Sequence, residues 1–260
     1  MTSLDMFLER VEMDAVERVE VKPLRIAMPA SRLKAFFKML RSHYFDNFGV
    51  YVRNGVLNSA VLSPTHVTCV RLTVDGVFEK PVVEPPLGVL NLENALKALR
   101  NIKSDTPLVY DFSQIDGEIR YGDLVVYRES GEGLKVEELV WDIEHDICAE
   151  VKISTKELLS LLGIFKNSYD YVRFSYQDGL LKVWDDNMEK VVKAPGCGYL
   201  DKQCFSFGYI YESVKGLDKL GCMGVTLSFY IHGSNKPAPM AIKAKIKDIS
   251  LTIYQAPRIE

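Results

Sequence analysis

The sequence predicts an α+β chain built from two similar halves, with amphipathic helices laid over mostly antiparallel sheet. Three observations predict it. A strand, a capped helix, an aromatic-rich strand and an X-Gly turn follow one another from Leu24 to Val52, and the same order returns from Glu150 to Phe174. A pattern repeated at domain length is what internal duplication leaves in a chain. Short alternating runs bounded by Gly, Asn, Asp or Pro fill most of the space between the helices, as antiparallel strands do. Between the halves lie Glu129-Ser130-Gly131-Glu132-Gly133 and then Leu134 to Asp146, polar with scattered apolar residues, which reads as a linker. The expected division is an N-terminal extension over 1–22, a first domain over 23–128, a connector over 129–147 and a second domain over 148–260.

In chain order, Met6, Leu8, Val11 and Met13 make no clean helical stripe before Pro23. Residues 1–22 are expected to be partly ordered, with a short helix from Leu4 to Val11 as the alternative. Leu24 to Met28 alternates like a strand. Ser31 is a candidate N-cap for a helix to about Tyr44, with Leu33, Phe36, Phe37, Leu40 and Tyr44 on one face. Strands follow at Phe48–Val52, Val56–Leu62 and Val67–Val74, and Asn54-Gly55 marks a tight hairpin. A second helix is expected from near Asn91, packed through Leu92, Ala95, Leu96, Leu99 and Ile102. Leu108–Phe112, Glu118–Tyr121 and Leu124–Tyr127 read as the last strands of the first half.

In the second half Ala149–Ile153 is a strand and Ser154 caps a helix packed by Leu158, Leu159, Leu161, Leu162 and Phe165. Strands are expected at Tyr171–Tyr176, Leu181–Trp184 and Glu189–Lys193, with a turn at Asp178-Gly179. A helix over about Phe207 to Leu220 shows Ile210, Val214 and Leu217 at i, i+4, i+7. Val225–Ile231, Met240–Ile246 and Ile249–Tyr254 close the half, and Pro257 ends the last ladder because it has no N–H to give.

Composition narrows the function. With 260 residues, 47% hydrophobic and 26% charged, the chain can bury a proper core. No apolar run nears the ~20 residues of a membrane helix, and the N-terminus is acidic, so neither a membrane nor a secreted protein is expected. The five cysteines are scattered with no CxxC pair, which suggests reduced core thiols and no zinc site. The net charge of −3 is matched by residues 1–22 alone, which hold six acidic and three basic side chains. The remainder is balanced and free to present one basic surface.

Five stretches in order resemble the PCNA-type sliding clamps of archaea and eukaryotes. Gly55-Val56 through Leu62-Ser63-Pro64-Thr65-His66-Val67 is similar to the family's Gly-Ile/Val followed by Met-Asp-x-Ser-His-Val. Lys135-Val136-Glu137-Glu138-Leu139-Val140-Trp141 resembles its interdomain connector. Tyr209-Ile210 with Val214-Lys215-Gly216-Leu217 resembles a family helix, Pro239-Met240 a strand start, and Tyr254 to Glu260 the closing Ala-Pro-Lys/Arg-Ile/Val-Glu. The resemblance implies the DNA-clamp fold: two duplicated domains, four helices on one face of a continuous curved antiparallel sheet, and a ring of three subunits, identical or different. It implies no cofactor, no metal and no catalysis. It implies a DNA-bound protein, in the cytoplasm of an archaeon or the nucleus of a eukaryote.

By the same resemblance, short peptides with a glutamine and paired aromatics would enter a pocket of Leu62, His66, Val67, Leu139, Trp141, Pro239 and Tyr254, with backbone contacts from Ala256 and Pro257. Such peptides belong to DNA polymerase, clamp loader, flap nuclease and ligase. An apolar notch with a few backbone acceptors suits aromatic anchors. An indole in a Glu-rich linker is costly unless it covers a surface, its own domain's included; His66 alone would also suit a structural role. Duplex DNA would meet Lys34, Lys38 and Arg41 at i, i+4, i+7, Lys97 and Arg100 at i, i+3, Lys156, and Lys215 and Lys219 at i, i+4, through phosphates and without sequence preference. Taken singly, each set also fits a solvated helix face.

Ring closure would use edge strands Asp116–Tyr121 and Met188–Lys193, with Glu118 and Arg120 facing Glu189 and Lys190, although an intramolecular hairpin explains those charges equally. The chain departs from the family at Ser63 (an acidic residue there), at Ile253-Tyr254 (an aromatic pair), in the leader, and in the glycine-bearing stretch from Lys193 to Cys204. Rival readings are a checkpoint-type clamp subunit, a monomeric processivity factor, and a Mg²⁺-dependent enzyme using Asp185 and Asp186. Against the enzyme, the sequence carries no phosphate loop, nucleophile elbow or HExxH.

Overall fold

The computed structural model describes residues 20–63, 67–134, 136, 146–166, 170–232 and 236–258. Four helices are formed among them: α1 (Ala30–Ser42), α2 (Leu92–Leu99), α3 (Thr155–Gly163) and α4 (Phe207–Lys219). The strands of the first half are β1 (Val21–Lys22), β2 (Arg25–Pro29), β3 (Asn47–Arg53), β4 (Val56–Leu62), β5 (Thr68–Val74), β6 (Val77–Phe78), β7 (Leu87–Asn91), β8 (Pro107–Asp111), β9 (Gly117–Tyr121) and β10 (Leu124–Glu129). Those of the second are β11 (Asp146–Ser154), β12 (Tyr171–Gln177), β13 (Leu180–Trp184), β14 (Glu189–Lys193), β15 (Gly196–Gly198), β16 (Leu200–Ser206), β17 (Gly224–His232), β18 (Lys236–Ile246) and β19 (Ile249–Gln255).

The local chemistry explains the elements. Asn54-Gly55 and Asp178-Gly179 both take positive φ at each residue, the left-handed pair that a two-residue hairpin needs. Asn91 and Ser154 cap α2 and α3, accepting from the N–H of Asn94 and Glu157 at 3.1 Å. Ser31 does not cap α1. That helix begins two residues earlier, with Pro29 at the cap position, and its free N–H groups are met elsewhere: Ala30 donates to Thr106 O (2.8 Å) and Ser31 to Ser104 O (3.0 Å). A backbone loop therefore does the work expected of a side chain. β16 escapes a period-two reading because polar Asp201, Lys202 and Gln203 interrupt its apolar ends.

A nine-stranded sheet runs β15-β11-β17-β18-β19-β5-β4-β3-β7 and crosses from one half to the other where β19 pairs with β5 over seven residues. Two four-stranded sheets, β10-β9-β8-β2 and β14-β13-β12-β16, complete the halves. The helices pack as a row, α2 on α1, α1 on α4, α4 on α3. One continuous core lies between helices and sheets. Phe36 meets Phe48 edge-on at 5.2 Å, and Phe174, Phe205 and Phe229 make the equivalent aromatic cluster in the second half. Among the described residues no helix is long and apolar enough to cross a membrane.

Candidate functional site

The outward side of the nine-stranded sheet carries an apolar island apart from the core. Register places Leu62, Cys69, Tyr254, Ala241, Ser228 and Glu150 directly opposite one another across β4, β5, β19, β18, β17 and β11. Their side chains point the same way, because cross-strand partners share a face. Tyr254 is half-buried and packs with Tyr230, Ala238 and Ala241, all three buried. Leu62 and Tyr254 sit two strands apart, about 10 Å at normal strand spacing, with buried Cys69 as the floor between them. Burial pushes the Cys69 thiol up to about 11, so it is an inert floor. Burial, and then neighbouring Tyr230, also raises the Tyr254 phenol. Pro239 lies within the register shift between β17 and β18, a place where a missing N–H breaks no ladder.

Ser63, Val67 and Thr68 on one side and the segment after β19 on the other border this patch. Buried Ser63 accepts from the N–H groups of Val67 (3.2 Å) and Thr68 (3.1 Å), while its own N–H donates to Thr68 O at 2.8 Å. A serine thus closes this loop where an acidic residue was expected. Ala256 N–H donates to Val67 O and Arg258 N–H to Cys204 O, each at 2.8 Å. With that N–H committed and none on Pro257, the backbone here offers only carbonyl acceptors. The structure therefore brings Leu62, Val67, Pro239, Tyr254, Ala256 and Pro257 to one place; His66, Leu139 and Trp141 lie outside the described residues. Tyr230, Ala238 and Ala241 escaped sequence reasoning. Apolar residues at outward positions of β17 and β18, where polar ones belong, were the signal.

The helix row carries the basic residues. α1 holds Arg32, Lys34, Lys38 and Arg41 and no acidic residue. Lys34 donates to Ile102 O at 2.5 Å, and Arg41 is tied to Asp46 at 2.5 Å and to Glu93 at 3.7 Å. Lys97 pairs with Glu93 at 2.7 Å and Lys215 with Glu212 at 2.8 Å. The hydrogen bond and charge of Lys97 hold the Glu93 carboxyl below its usual range. Lys38, Arg100, Lys156 and Lys219 are exposed and make no ion pair or side-chain hydrogen bond among the described residues, one for each of the four helices or its cap.

The expected subunit edge in the first half needs correction. β9 lies between β8 and β10, so Glu118 and Arg120 are interior to their sheet. Glu118 joins Arg120 at 3.0 Å and accepts from Arg128 Nε of β10 at 2.6 Å. The open edge is β10, because the chain turns back at Gly122-Asp123 and adds one more strand. Glu189 and Lys190 do lie on an open edge, β14. Asp185 accepts from the N–H groups of Asn187 (2.8 Å) and Met188 (2.7 Å), closing a turn. Asp186 receives Tyr171 Oη at 2.5 Å and Arg173 Nη1 at 2.7 Å; these bonds, Tyr171 first, lower its carboxyl. Both carboxylates serve local structure, and no group of three His, Cys, Asp or Glu suited to a metal occurs among the described residues.

Two duplicated halves, a row of four helices and one sheet shared across the junction define the fold of the PCNA-type sliding clamps, and this chain has that fold. Among solved structures it is similar to PCNA from Entamoeba histolytica, at 17% identity and TM-score 0.70 over 90% of this chain and 98% of that one. It is similar to a chain of the PCNA2–PCNA3 complex of Sulfolobus tokodaii at 15% identity and TM-score 0.71, covering 91% and 100%. Similar too is A. fulgidus PCNA bound to the C-terminal region of FEN-1, at 14% identity and TM-score 0.70, covering 91% and 98%. No family model and no curated protein sequence matches the chain.

Proposed function

We propose that the chain is a subunit of a DNA sliding clamp: a ring of three that encircles duplex DNA and tethers replication and repair enzymes without catalysing a reaction. The observation that carries this reading is the outward apolar patch of Tyr254 with Tyr230, Ala238 and Ala241, set on the opposite side of the shared sheet from the helix row. One side would take partner peptides while the other faces phosphates. Polymerase, clamp loader, flap nuclease and ligase are the expected partner classes, and the FEN-1 segment bound to the A. fulgidus protein supports the nuclease. The proposed units are a clamp domain over 23–128, a connector over 129–147 and a second clamp domain over 148–260. His66, Leu139 and Trp141 are assigned to the notch and the eight helix cations to the DNA face.

Two measurements test it. A labelled peptide with a glutamine and two aromatics should bind the full chain, with Trp141→Ala and Tyr254→Ala each weakening it about tenfold or more, the scale of a lost aromatic anchor. Primer extension on a closed circular template should become processive on adding the chain and a loader. No peptide binding and no gain in processivity would remove the proposal.

A further inference from the structure

At the junction of the halves, on the helix side of the shared sheet, a cavity of about 190 Å³ lies under the start of α1. From its walls and its charged lining we infer a binding site for a small amphipathic carboxylate, a fatty acid of about eight carbons. The inference goes beyond the clamp reading and does not depend on it.

The walls are apolar. β2 and α1 supply Met28 and Phe36, β3 and β5 supply Phe48 and Val74, and β6 and β19 supply Phe78 and Leu251. All but Met28 are buried. Ile26, Ile246 and Ile249 also line the cavity and, like Met28, are only partly covered. An alkyl tail would take from water the surface that these four leave exposed. Size points the same way, because an apolar cavity of about 150 Å³ already holds benzene.

The polar part of the lining is cationic. Lys22, Arg25, Arg32 and Lys247 stand against Asp248, the one carboxylate among the described lining residues. That carboxylate is committed: it accepts from Lys22 Nζ at 3.0 Å, and the same Nζ donates to Asp75 O at 2.7 Å. Arg25, Arg32 and Lys247 make no ion pair or side-chain hydrogen bond among the described residues. Arg25 and Lys247 are exposed and water can serve them, but Arg32 is half-buried. It also stands in the first turn of α1, which holds no acidic residue, although the positive pole of a helix favours acids there. A guanidinium at that pole, partly withdrawn from water and without a counter-ion, is costly, and a carboxylate from outside would offset the cost through paired N–H bonds. A tail in the cavity with its head at Arg32 satisfies both parts of the lining at once. Such a ligand would touch β2 and α1 of the first half and β19 of the second, and so should raise the Tm of the whole chain.

Isothermal titration of the full chain with sodium octanoate, kept below its micelle-forming range, tests this. One equivalent should bind, with affinity rising about fourfold for each methylene from pentanoate to octanoate. Octan-1-ol should bind about tenfold more weakly or worse. Arg32→Gln should weaken octanoate by a similar factor and leave octan-1-ol unchanged, whereas Met28→Trp, which fills the cavity, should abolish both. Arg32→Gln removes no buried apolar contact, so it decides the matter where Met28→Trp fails to fold. Absence of octanoate binding to the wild type overturns the inference. Octan-1-ol binding as tightly as octanoate overturns it too, leaving only an apolar void, and so does octanoate binding that survives both substitutions, which would place it elsewhere. The cavity and the Tyr254 patch lie on opposite sides of the sheet, so none of these results bears on the clamp reading, which stands or falls with the aromatic peptide and processivity.

Discussion

His43 shows how much one side chain at a junction can carry. It follows α1, stacks on Tyr209 of α4 at 5.6 Å and places Nε2 2.9 Å from Ser213 Oγ, fully buried. Ser213 Oγ already donates to Tyr209 O, so Nε2 carries the proton and donates to Ser213, and Nδ1 has no partner among the described residues. Burial lowers the imidazole to about 4 from 6.5. Between those values the unfolded chain binds a proton that the folded chain refuses. Stability from this site is complete above about pH 6.5 and is lost as pH falls toward 4, on the order of 3 kcal/mol in all. Thermal melts from pH 7 to pH 4 should show a falling Tm, and His43→Gln should flatten that fall; an unchanged acid limb would place the effect elsewhere. Tyr254 behaves differently. Because it lies half-buried on Tyr230, Ala238 and Ala241 on the outward side, apart from the main core, Tyr254→Ala should cost the peptide site far more than the fold, seen as lost binding with a Tm shift of only a few degrees. The role of His43 is not written in the local sequence, where it ends a helix like any other, whereas Tyr254 was already singled out there through the resemblance of the closing stretch.

At the scale of elements, the α1–α4 crossing depends on Gly216. A Cβ there would stand 2.7 Å from Met39 Cβ and Cγ, closer than side chains tolerate. Gly216→Ala should destabilise the chain by about 1–3 kcal/mol, as overpacking does, measurable by urea unfolding with the m-value unchanged. The helix cations separate by what already holds them. Arg41, Lys97 and Lys215 have carboxylate partners, whereas Lys38, Arg100, Lys156 and Lys219 have none among the described residues. Reversing Lys38 and Lys219 to Glu should therefore weaken DNA retention more than reversing Arg41 and Lys215, and should flatten its salt dependence by about 0.9 for each phosphate no longer neutralised. Equal losses from both pairs would show that the internal ion pairs break freely. The hairpin turns and the cap at Ser154 are legible because each depends on residues a few positions apart. The start of α1 is not, since its donors are satisfied by residues 104–106, more than 70 positions later. Nor was the open edge: β9 and β10 both look like strands, and only their pairing order tells which is outermost.

Over the whole molecule, β19 is the joint. It pairs with β18 on one side and β5 on the other, and the core passes from half to half beneath it. The chain should thus unfold in a single calorimetric transition, and ending it after Ile246 should cost both halves their structure; two separate transitions would mean that the shared ladder contributes little. The composition, the four amphipathic faces, the tight turns and the repeat were set by the sequence alone, because periodicity and turn chemistry act between near neighbours. Tertiary structure alone decided which strands stay open, which residues gather into the outward apolar patch, and which cations have no partner among the described residues. Those properties belong to ladders and packing between residues far apart in the chain, where no local pattern records who stands beside whom.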